Sequence, residues 1–271
     1  LSAGKPFGVN LTLSSRPENN QSVQRWTEIA LAHGVRHFET AGYRPDGLIG
    51  TLHAAGAIVI HKASSIRHGL AAERAGADAI ALIGMEEGGH PGLNELPTML
   101  MGALAVGQFR VPLVLGGGIG HGRQIAAALV QGLDGVLMGS RFLVCEEISA
   151  HHDYKAHLLT CDEHATVRVL QSLGNTWRVL RNDTALQIEA LERSGVADHA
   201  AFGDLIKGTT VRDGCYATGD WNQGMLSLGP AIAFAKRIEP LRAIVNCMVD
   251  EAAQAIAALH ATHSQNGMEQ E

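Results

Sequence analysis

Val111-Pro-Leu-Val-Leu-Gly-Gly-Gly-Ile119 and, one unit later, Val136-Leu-Met-Gly-Ser-Arg-Phe142 decide the fold of this chain. Each stretch is an apolar run that ends in glycine, and an amphipathic segment separates the two. In a (β/α)8 barrel the loops after the last two strands form a phosphate site, because glycines let backbone N–H groups approach the anion. The pair therefore predicts a phosphate clamp, with the start of a helix at Arg123 behind its first arm.

The same strand pattern recurs towards the start of the chain. Helical stretches end in glycine and run into short apolar segments, which predicts strands at residues 6–13, 36–41, 57–62, 79–84, 113–115 and 135–139. Six parallel strands are too few to close a barrel, and the chain begins at Leu1 instead of Met. We therefore expect an α/β fold of the TIM (β/α)8 type that lacks its first two β/α units.

A doubly wound open sheet is the alternative, but it has weaker support. The dinucleotide fingerprint G-x-G-x-x-G, started at Gly116, places His121 at its last glycine position. After about residue 145 the repeats stop. We expect a barrel portion over residues 1–150, a helical and loop region over 151–229, and, over 230–271, a helix that packs back on the barrel followed by a flexible tail. Within the middle region, residues 167–192 look helical and residues 215–224 look like a loop.

Composition narrows the class of partner. The chain has 271 residues, a net charge of −6 and no basic cluster, which argues against nucleic acid or an anionic membrane and favours a small-molecule substrate. Its four cysteines have no CxxC spacing, and it contains neither a signal peptide nor a long apolar run. These features predict a cytoplasmic protein; the oligomeric state stays open.

Two side chains at predicted strand ends are candidates for chemistry. His90 lies between glycines in Met85-Glu-Glu-Gly-Gly-His-Pro-Gly92, where apolar packing does not explain it, so it can serve as a base or bind substrate. Lys62 ends an apolar strand and places an ammonium group at the same rim, where it can tune a flavin. The simpler alternatives are a histidine that pins its own loop and a lysine that reaches solvent.

A metal site has less support. His157, Cys161 and His164 share one face of a predicted helix, but their spacing is not that of a structural zinc site, and we expect no metal. A metal-dependent barrel hydrolase would have only His61 and His90 at convenient strand ends. The charges of Arg168, Arg178 and Arg181 are most simply a solvated helix surface.

Read in order, these motifs resemble the nitronate monooxygenase family, which consists of FMN-dependent barrel enzymes. The resemblance covers nearly the whole chain, and five segments carry it: Pro6–Leu11, Ile60–Lys62, Glu87–Gly92, Gly117-Gly118 and Met138–Phe142. As a set the segments are specific, although each alone is a weak signal.

The resemblance implies a role for each matched residue. Asn10 and Lys62 would contact the flavin ring, Gly88 and Gly89 would lie along the cofactor, and His90 would face the substrate. The phosphate end of FMN would be held by Gly117, Gly118, Gly139 and Ser140, with Met138 beside them. The implied reaction is oxidation of an alkyl nitronate with dioxygen to a carbonyl compound and nitrite.

Other activities remain open. Members of the same family resemble NAD(P)H:quinone reductases or enoyl-thioester reductases, which use the same barrel and flavin, so fold alone does not separate them. From another class, the chain could be a non-catalytic fragment with an incomplete flavin site. We rank nitronate oxidation first because it defines the family and suits His90.

Overall fold

A computed structural model of the chain describes residues 4–14, 16–93 and 95–268. Six parallel strands form one sheet in the order β1-β2-β3-β4-β5-β6, with bounds β1 Gly8–Leu13, β2 His37–Gly42, β3 Ile58–Ala63, β4 Ala79–Ile83, β5 Leu113–Gly116 and β6 Gly135–Leu137. All six predicted strands are confirmed. Each strand pairs with the next in sequence, as in a barrel, whereas a doubly wound sheet would reverse its order.

Helices cover one face of this sheet and follow its strands: α1 Gln21–Ala32, α2 Asp46–Ala54, α3 Ile66–Arg74, α4 Thr98–Ala105 and α5 Gly122–Val130. Alternate strand residues such as Leu11, Phe38, Val59 and Leu82 pack against them in the main hydrophobic core. The intervening residues, including Glu39 and Lys62, therefore point to the opposite face, which is the barrel interior.

The region after the sheet differs from the expected run of helix. Residues 167–180 were expected to be helical, but β7 Thr166–Val169 and β8 Trp177–Leu180 form an antiparallel hairpin. Helix α6, His152–Leu158, precedes the hairpin. Three helices follow it: α7 Asp183–Arg193, α8 His199–Phe202 and α9 Gly208–Thr210. Four-residue strands with apolar residues at alternate positions, such as Val167 and Val169, were too short to stand out from a helical pattern.

Two further boundaries differ from expectation. The predicted loop over residues 215–224 begins inside a π-helical turn, Val211–Tyr216. The last helix, α10, spans Leu241–Met268 and is preceded by a 3-10 turn at Pro230–Phe234, so the helix expected from residue 230 begins at Leu241 and continues to Met268. The remainder of that expected tail, residues 269–271, lies outside the described residues.

Helix α10 packs against α5. The Gly122 amide donates a 2.8 Å hydrogen bond to the Glu251 carboxylate, and a Cβ on Gly122 would lie 2.6 Å from the Ala252 nitrogen and closer still to the Met248 carbonyl oxygen. The two helices therefore meet backbone to backbone, and only glycine fits at the contact.

We expect Gly122→Ala to push α10 away from α5 and to lower the free energy of unfolding by about 1–3 kcal/mol, the usual cost of overpacking. Urea denaturation followed by circular dichroism measures the effect. Gly50→Ala, in α2 with no atom near its Cβ position, is the matched control and should be neutral or slightly stabilising. Equal unfolding midpoints for Gly122→Ala and the unsubstituted chain would contradict the close contact.

Candidate active site

Two adjoining cavities lie where the strands end. The first, here the histidine cavity, has a volume of about 470 Å³ and includes Gly89 and His90 in its lining. The second, the glycine cavity, has a volume of about 440 Å³ and is lined by Gly117, Gly118, Met138, Gly139 and Ser140. Lys62, Ile83, Glu87 and Gly88 line both cavities. The structure thus brings nine of the predicted site residues together along one edge of the sheet.

Asn10 is the predicted site residue that lines neither cavity. Its side-chain amide donates a 2.5 Å hydrogen bond to the Glu39 carboxylate, and it lines a separate depression along β1, β2 and β3. Glu39 lines both that depression and the glycine cavity. Asn10 therefore reaches the site only through Glu39.

Backbone groups dominate the glycine cavity. Within the described part of the chain, the amides of Gly118, Gly139 and Ser140 donate no hydrogen bond to another protein group. A Cβ placed on Gly139 would meet no atom within 4 Å, so the space in front of this residue is open. The Ser140 hydroxyl accepts a 2.8 Å hydrogen bond from the Gly229 amide, which leaves its own proton free to donate. This arrangement suits an anionic group with several oxygens.

The N-terminus of α5 does not face this space, contrary to expectation. The side-chain oxygen of Gln124 accepts from the amides of Gly120 at 2.9 Å and His121 at 3.1 Å. The Gly122 amide binds Glu251, and the Arg123 amide donates to His121 Nδ1 at 3.2 Å. Because protein groups already satisfy these donors, the amides that are left without a protein acceptor lie in the preceding loop and in the residues after β6.

Glu86 supports the loop after β5. Its carboxylate accepts hydrogen bonds from the Thr98 amide at 2.9 Å and from the Thr98 hydroxyl at 2.6 Å. The same hydroxyl lies 2.9 Å from the Gly117 carbonyl oxygen, and a Cβ on Gly118 would lie 2.8 Å from the Glu86 side chain. With both carboxylate oxygens engaged close to the loop, Glu86 is a structural residue.

Three ionisable groups, Glu39, Lys62 and Glu87, line the glycine cavity. Lys62 Nζ lies 3.4 Å from the Glu39 carboxylate, and 27% of each side chain is exposed. Burial raises the pKa of Glu87 to about 7; Lys62 lowers it and Glu39 raises it by smaller amounts. Glu87 is therefore a proton-holding group beside a fixed ammonium, at the junction of both cavities.

His90 is held by an aromatic contact. Its ring stacks on Trp177 from the hairpin, with 4.7 Å between ring centroids, and the indole N–H donates a 2.8 Å hydrogen bond to the Ser227 hydroxyl. Desolvation lowers the pKa of His90 below its ordinary value. The imidazole is consequently neutral at pH 7 and has one ring nitrogen available to accept a proton.

Arg178 ties the hairpin to the loop that carries His90. Its amide donates to the Gly89 carbonyl oxygen at 2.7 Å, the Gly89 amide donates back to the Arg178 carbonyl oxygen at 3.0 Å, and its guanidinium donates to the Met85 carbonyl oxygen at 3.0 Å. The interpretation of Arg178 as part of a solvated helix surface is therefore wrong: it lies on β8, is half-buried and fixes the loop.

Sequence reasoning missed four residues that shape the site: Glu39, Glu87, Trp177 and Arg178. Glu39 gave a signal, because a carboxylate in the middle of a strand, on the same face as Lys62, points into the barrel. Trp177 and Arg178 gave none, since they come from a region distant in sequence.

The histidines of α6 have local roles. The ring of His157 stacks on Trp221 with 3.6 Å between centroids, and the Cys161 thiol, which is buried, lies 3.6 Å from the His157 carbonyl oxygen. Among the described residues, no three His, Cys, Asp or Glu side chains are grouped as a metal site.

None of the described helices is long and apolar enough to cross a membrane.

The model of the nitronate monooxygenase family matches residues 2–251. The chain belongs to the nitronate monooxygenase family.

The curated relatives of this nitronate monooxygenase-family chain are named for different activities. A probable nitronate monooxygenase of Bacillus subtilis is 35% identical over 60% of this chain and 51% of its own length. The (3aS,4S,5R,7aS)-5-hydroxy-7a-methyl-1-oxo-octahydro-1H-indene-4-carboxyl-CoA dehydrogenase of Mycobacterium tuberculosis is 32% identical over 70% of this chain and 52% of its own length. The chain spans about half the length of these curated relatives.

The solved structure of FabK from Thermotoga maritima superposes with a TM-score of 0.86 at 28% identity, over 96% of this chain and 80% of that chain. A nitroalkane oxidase from Streptomyces ansochromogenes gives a TM-score of 0.75 at 24% identity, over 95% and 83% of the two chains. The second likeness concerns the fold alone. Together they confirm the TIM-barrel type of this family member.

Ionisation of Glu87 should make the free energy of unfolding of this protein depend on pH. A carboxyl whose pKa rises from 4.5 to about 7 on folding contributes stability at low pH, and this contribution is lost as the pH rises through that range. Glu87→Gln removes the ionisable carboxyl and therefore removes this loss of stability at higher pH. We expect its free energy of unfolding at pH 8 to exceed that of the unsubstituted chain by about 1–3 kcal/mol, and the difference to vanish near pH 4.5.

Thermal or urea unfolding at the two pH values measures this effect. Glu28→Gln, at an exposed position of α1, is the control and should change stability equally little at both. A Glu87→Gln gain that is the same at pH 4.5 and pH 8 would mean that ionisation of Glu87 does not oppose folding.

Proposed function

We propose that the chain binds FMN and is a flavin-dependent oxidoreductase that acts on small molecules. One observation carries the proposal. A continuous edge of the sheet offers unbonded amides at Gly118 and Gly139 at one end, the Lys62 ammonium in the middle, and the neutral imidazole of His90 at the other end.

The residues present fit that cofactor. The amides of Gly118, Gly139 and Ser140 would hold the phosphate, and the open space in front of Gly139 gives it room. Lys62 would lie beside the ring, where its charge favours the anionic reduced form. Bound FMN supplies a two-electron acceptor; the chain supplies the position, the charge and the proton acceptor.

For the reaction we propose oxidation of alkyl nitronates with dioxygen to a carbonyl compound and nitrite. When a neutral nitroalkane is the substrate, the unprotonated ring nitrogen of His90 removes the proton from the carbon that bears the nitro group. Trp177 covers one face of that imidazole and fixes its direction. Lys62 provides the positive charge that stabilises the resulting nitronate.

Oxidation or reduction of a coenzyme A thioester is the second candidate. The Mycobacterium tuberculosis relative is named as a carboxyl-CoA dehydrogenase, and a thioester, like a nitroalkane, acidifies the neighbouring C–H bond that His90 would face. NAD(P)H:quinone reduction at the same flavin differs from these two reactions in its substrates, which are a nicotinamide and a quinone.

Gly139→Val tests the cofactor site. Gly139 has φ −128°, outside the left-handed region that requires glycine, and a Cβ there would enter the open space proposed for the phosphate with no protein atom within 4 Å. We expect the dissociation constant of FMN to rise at least tenfold while the melting temperature of the flavin-free protein is unchanged. Quenching of flavin fluorescence during titration measures the affinity.

The matched control is Gly50→Val, also at a glycine with open surroundings but on the exposed side of α2; it should bind FMN like the unsubstituted chain. Equal affinity in Gly139→Val would place the phosphate elsewhere. A colourless protein that FMN does not reconstitute would favour the non-catalytic alternative.

His90→Ala tests the reaction. If His90 is the base, turnover of neutral nitroalkanes should fall by about 10²- to 10⁴-fold, the usual contribution of a general base, and turnover of preformed nitronates should fall far less. Oxygen uptake with each substrate, at equal flavin content, measures both rates.

His33→Ala, a histidine at the end of α1 remote from both cavities, is the control. Equal losses on nitroalkane and nitronate would remove the role of base from His90. Oxidation of NADH with a quinone, without oxygen uptake on nitronate, would replace the proposed reaction by quinone reduction.

A further inference from the structure

A third cavity, larger than either part of the site, lies between α2 and α3. Its volume is about 770 Å³, and its polar lining comprises Tyr43, Arg44, Asp46, His61, Arg67, His68 and Arg74. We propose that this arginine groove binds the nucleoside diphosphate portion of a second ligand whose reactive end reaches His90. The inference rests on the proposed flavin chemistry, for which such a ligand would be the substrate or the hydride donor.

The charge of the groove is the first argument. Three guanidinium groups face one carboxylate, Asp46, which is already paired with Arg44 at 2.5 Å. Neither Arg67 nor Arg74 forms an ion pair with any residue in the described ranges. In a chain with a net charge of −6, such a concentration of unpaired arginines marks a place for an anion, and the planar guanidinium matches phosphate oxygens in pairs.

The local structure of α3 is the second argument. The first turn of this nine-residue helix contains no acidic residue and instead carries Arg67 and His68. Cations there oppose the positive end of the helix dipole, whereas an anion between them would satisfy both. Ser65 is buried and caps the turn by accepting from the His68 amide at 3.2 Å, so the turn that presents these two side chains is fixed.

Continuity with the site is the third argument. Gly42, His61 and His68 line both the arginine groove and the histidine cavity. His61 is buried, its Nδ1 lies 2.9 Å from the Thr40 hydroxyl, and burial lowers its pKa to about 4, so it forms a neutral wall between the two spaces. A ligand anchored by phosphates in the groove can therefore extend past Gly42 towards His90.

The shape of the groove favours a nucleotide over a lone phosphate. Arg44 follows β2, whereas Arg67 and Arg74 lie at opposite ends of α3, so the cations are spread along the groove. The ring of Tyr43, 52% exposed, lies in the same lining and offers a face on which a base can stack. Coenzyme A and NADPH share this nucleoside diphosphate chemistry, and the experiment separates them.

The test is calorimetric titration of the flavin-loaded full chain with coenzyme A, NADPH, ADP and inorganic phosphate, at two salt concentrations. We expect ADP and at least one of the two larger ligands to bind more tightly than phosphate. The double variant Arg67→Gln/Arg74→Gln should weaken that binding at least tenfold. Its melting temperature, measured alongside, establishes that it is folded.

Arg16→Gln/Arg25→Gln is the matched control. Both residues are exposed and neither lines the groove, so this variant should bind all four ligands like the unsubstituted chain. Binding of coenzyme A alone identifies a thioester substrate, and binding of NADPH alone identifies a hydride donor; either supports the groove.

Equal affinity in the unsubstituted chain and Arg67→Gln/Arg74→Gln, or no binding of ADP, coenzyme A and NADPH at millimolar concentration, would overturn the proposal. Failure of the flavin chemistry is a separate result, because it shows as a colourless protein or as absent oxygen uptake, whereas the groove is tested by binding heat alone.

Discussion

The paired backbone hydrogen bonds between Gly89 and Arg178 are the interaction on which the reactive end of the site depends. They join the hairpin to the loop after β4, and the Arg178 guanidinium binds the Met85 carbonyl at the other end of that loop. The same contact brings Trp177 onto His90. Without the hairpin, a histidine between glycines would have no fixed direction, since glycine restricts the backbone least.

This docking also changes the interpretation of the loop glycines. At Gly88 a Cβ would lie 2.5 Å from the Leu228 carbonyl carbon, so the segment after the hairpin already excludes a side chain there. Gly89 has φ +119° and needs glycine for its conformation alone. These two glycines are therefore required by the protein's own packing, whereas Gly139 has neither constraint; its open surroundings are the clearer indication of space for a ligand.

The sequence predicted the sheet well because each strand is a local signal: a short apolar run after a glycine-terminated helix. Lys62 lies near the end of β3, and His90 lies in the loop that follows β4. The hairpin was not predicted, because strands of four residues contain too few positions to distinguish a hydrophobic period of two residues from one of 3.6. The hydrogen bonds from the amides at the start of α5 to Gln124 and Glu251 were not predicted, because they depend on side-chain direction and on a helix more than a hundred residues away.

The two ends of the site consequently differ in kind. At the glycine cavity the groups proposed to bind phosphate are backbone amides next to the adjacent strands β5 and β6, so their placement follows from the barrel itself. At the histidine cavity the groups are the side chains of His90, Glu87 and Lys62, and desolvation raises the pKa of Glu87 to about 7 and lowers the pKa of His90. A barrel of this kind therefore fixes the positions of backbone amides more readily than it fixes a reaction, and relatives of this chain carry the names of different activities.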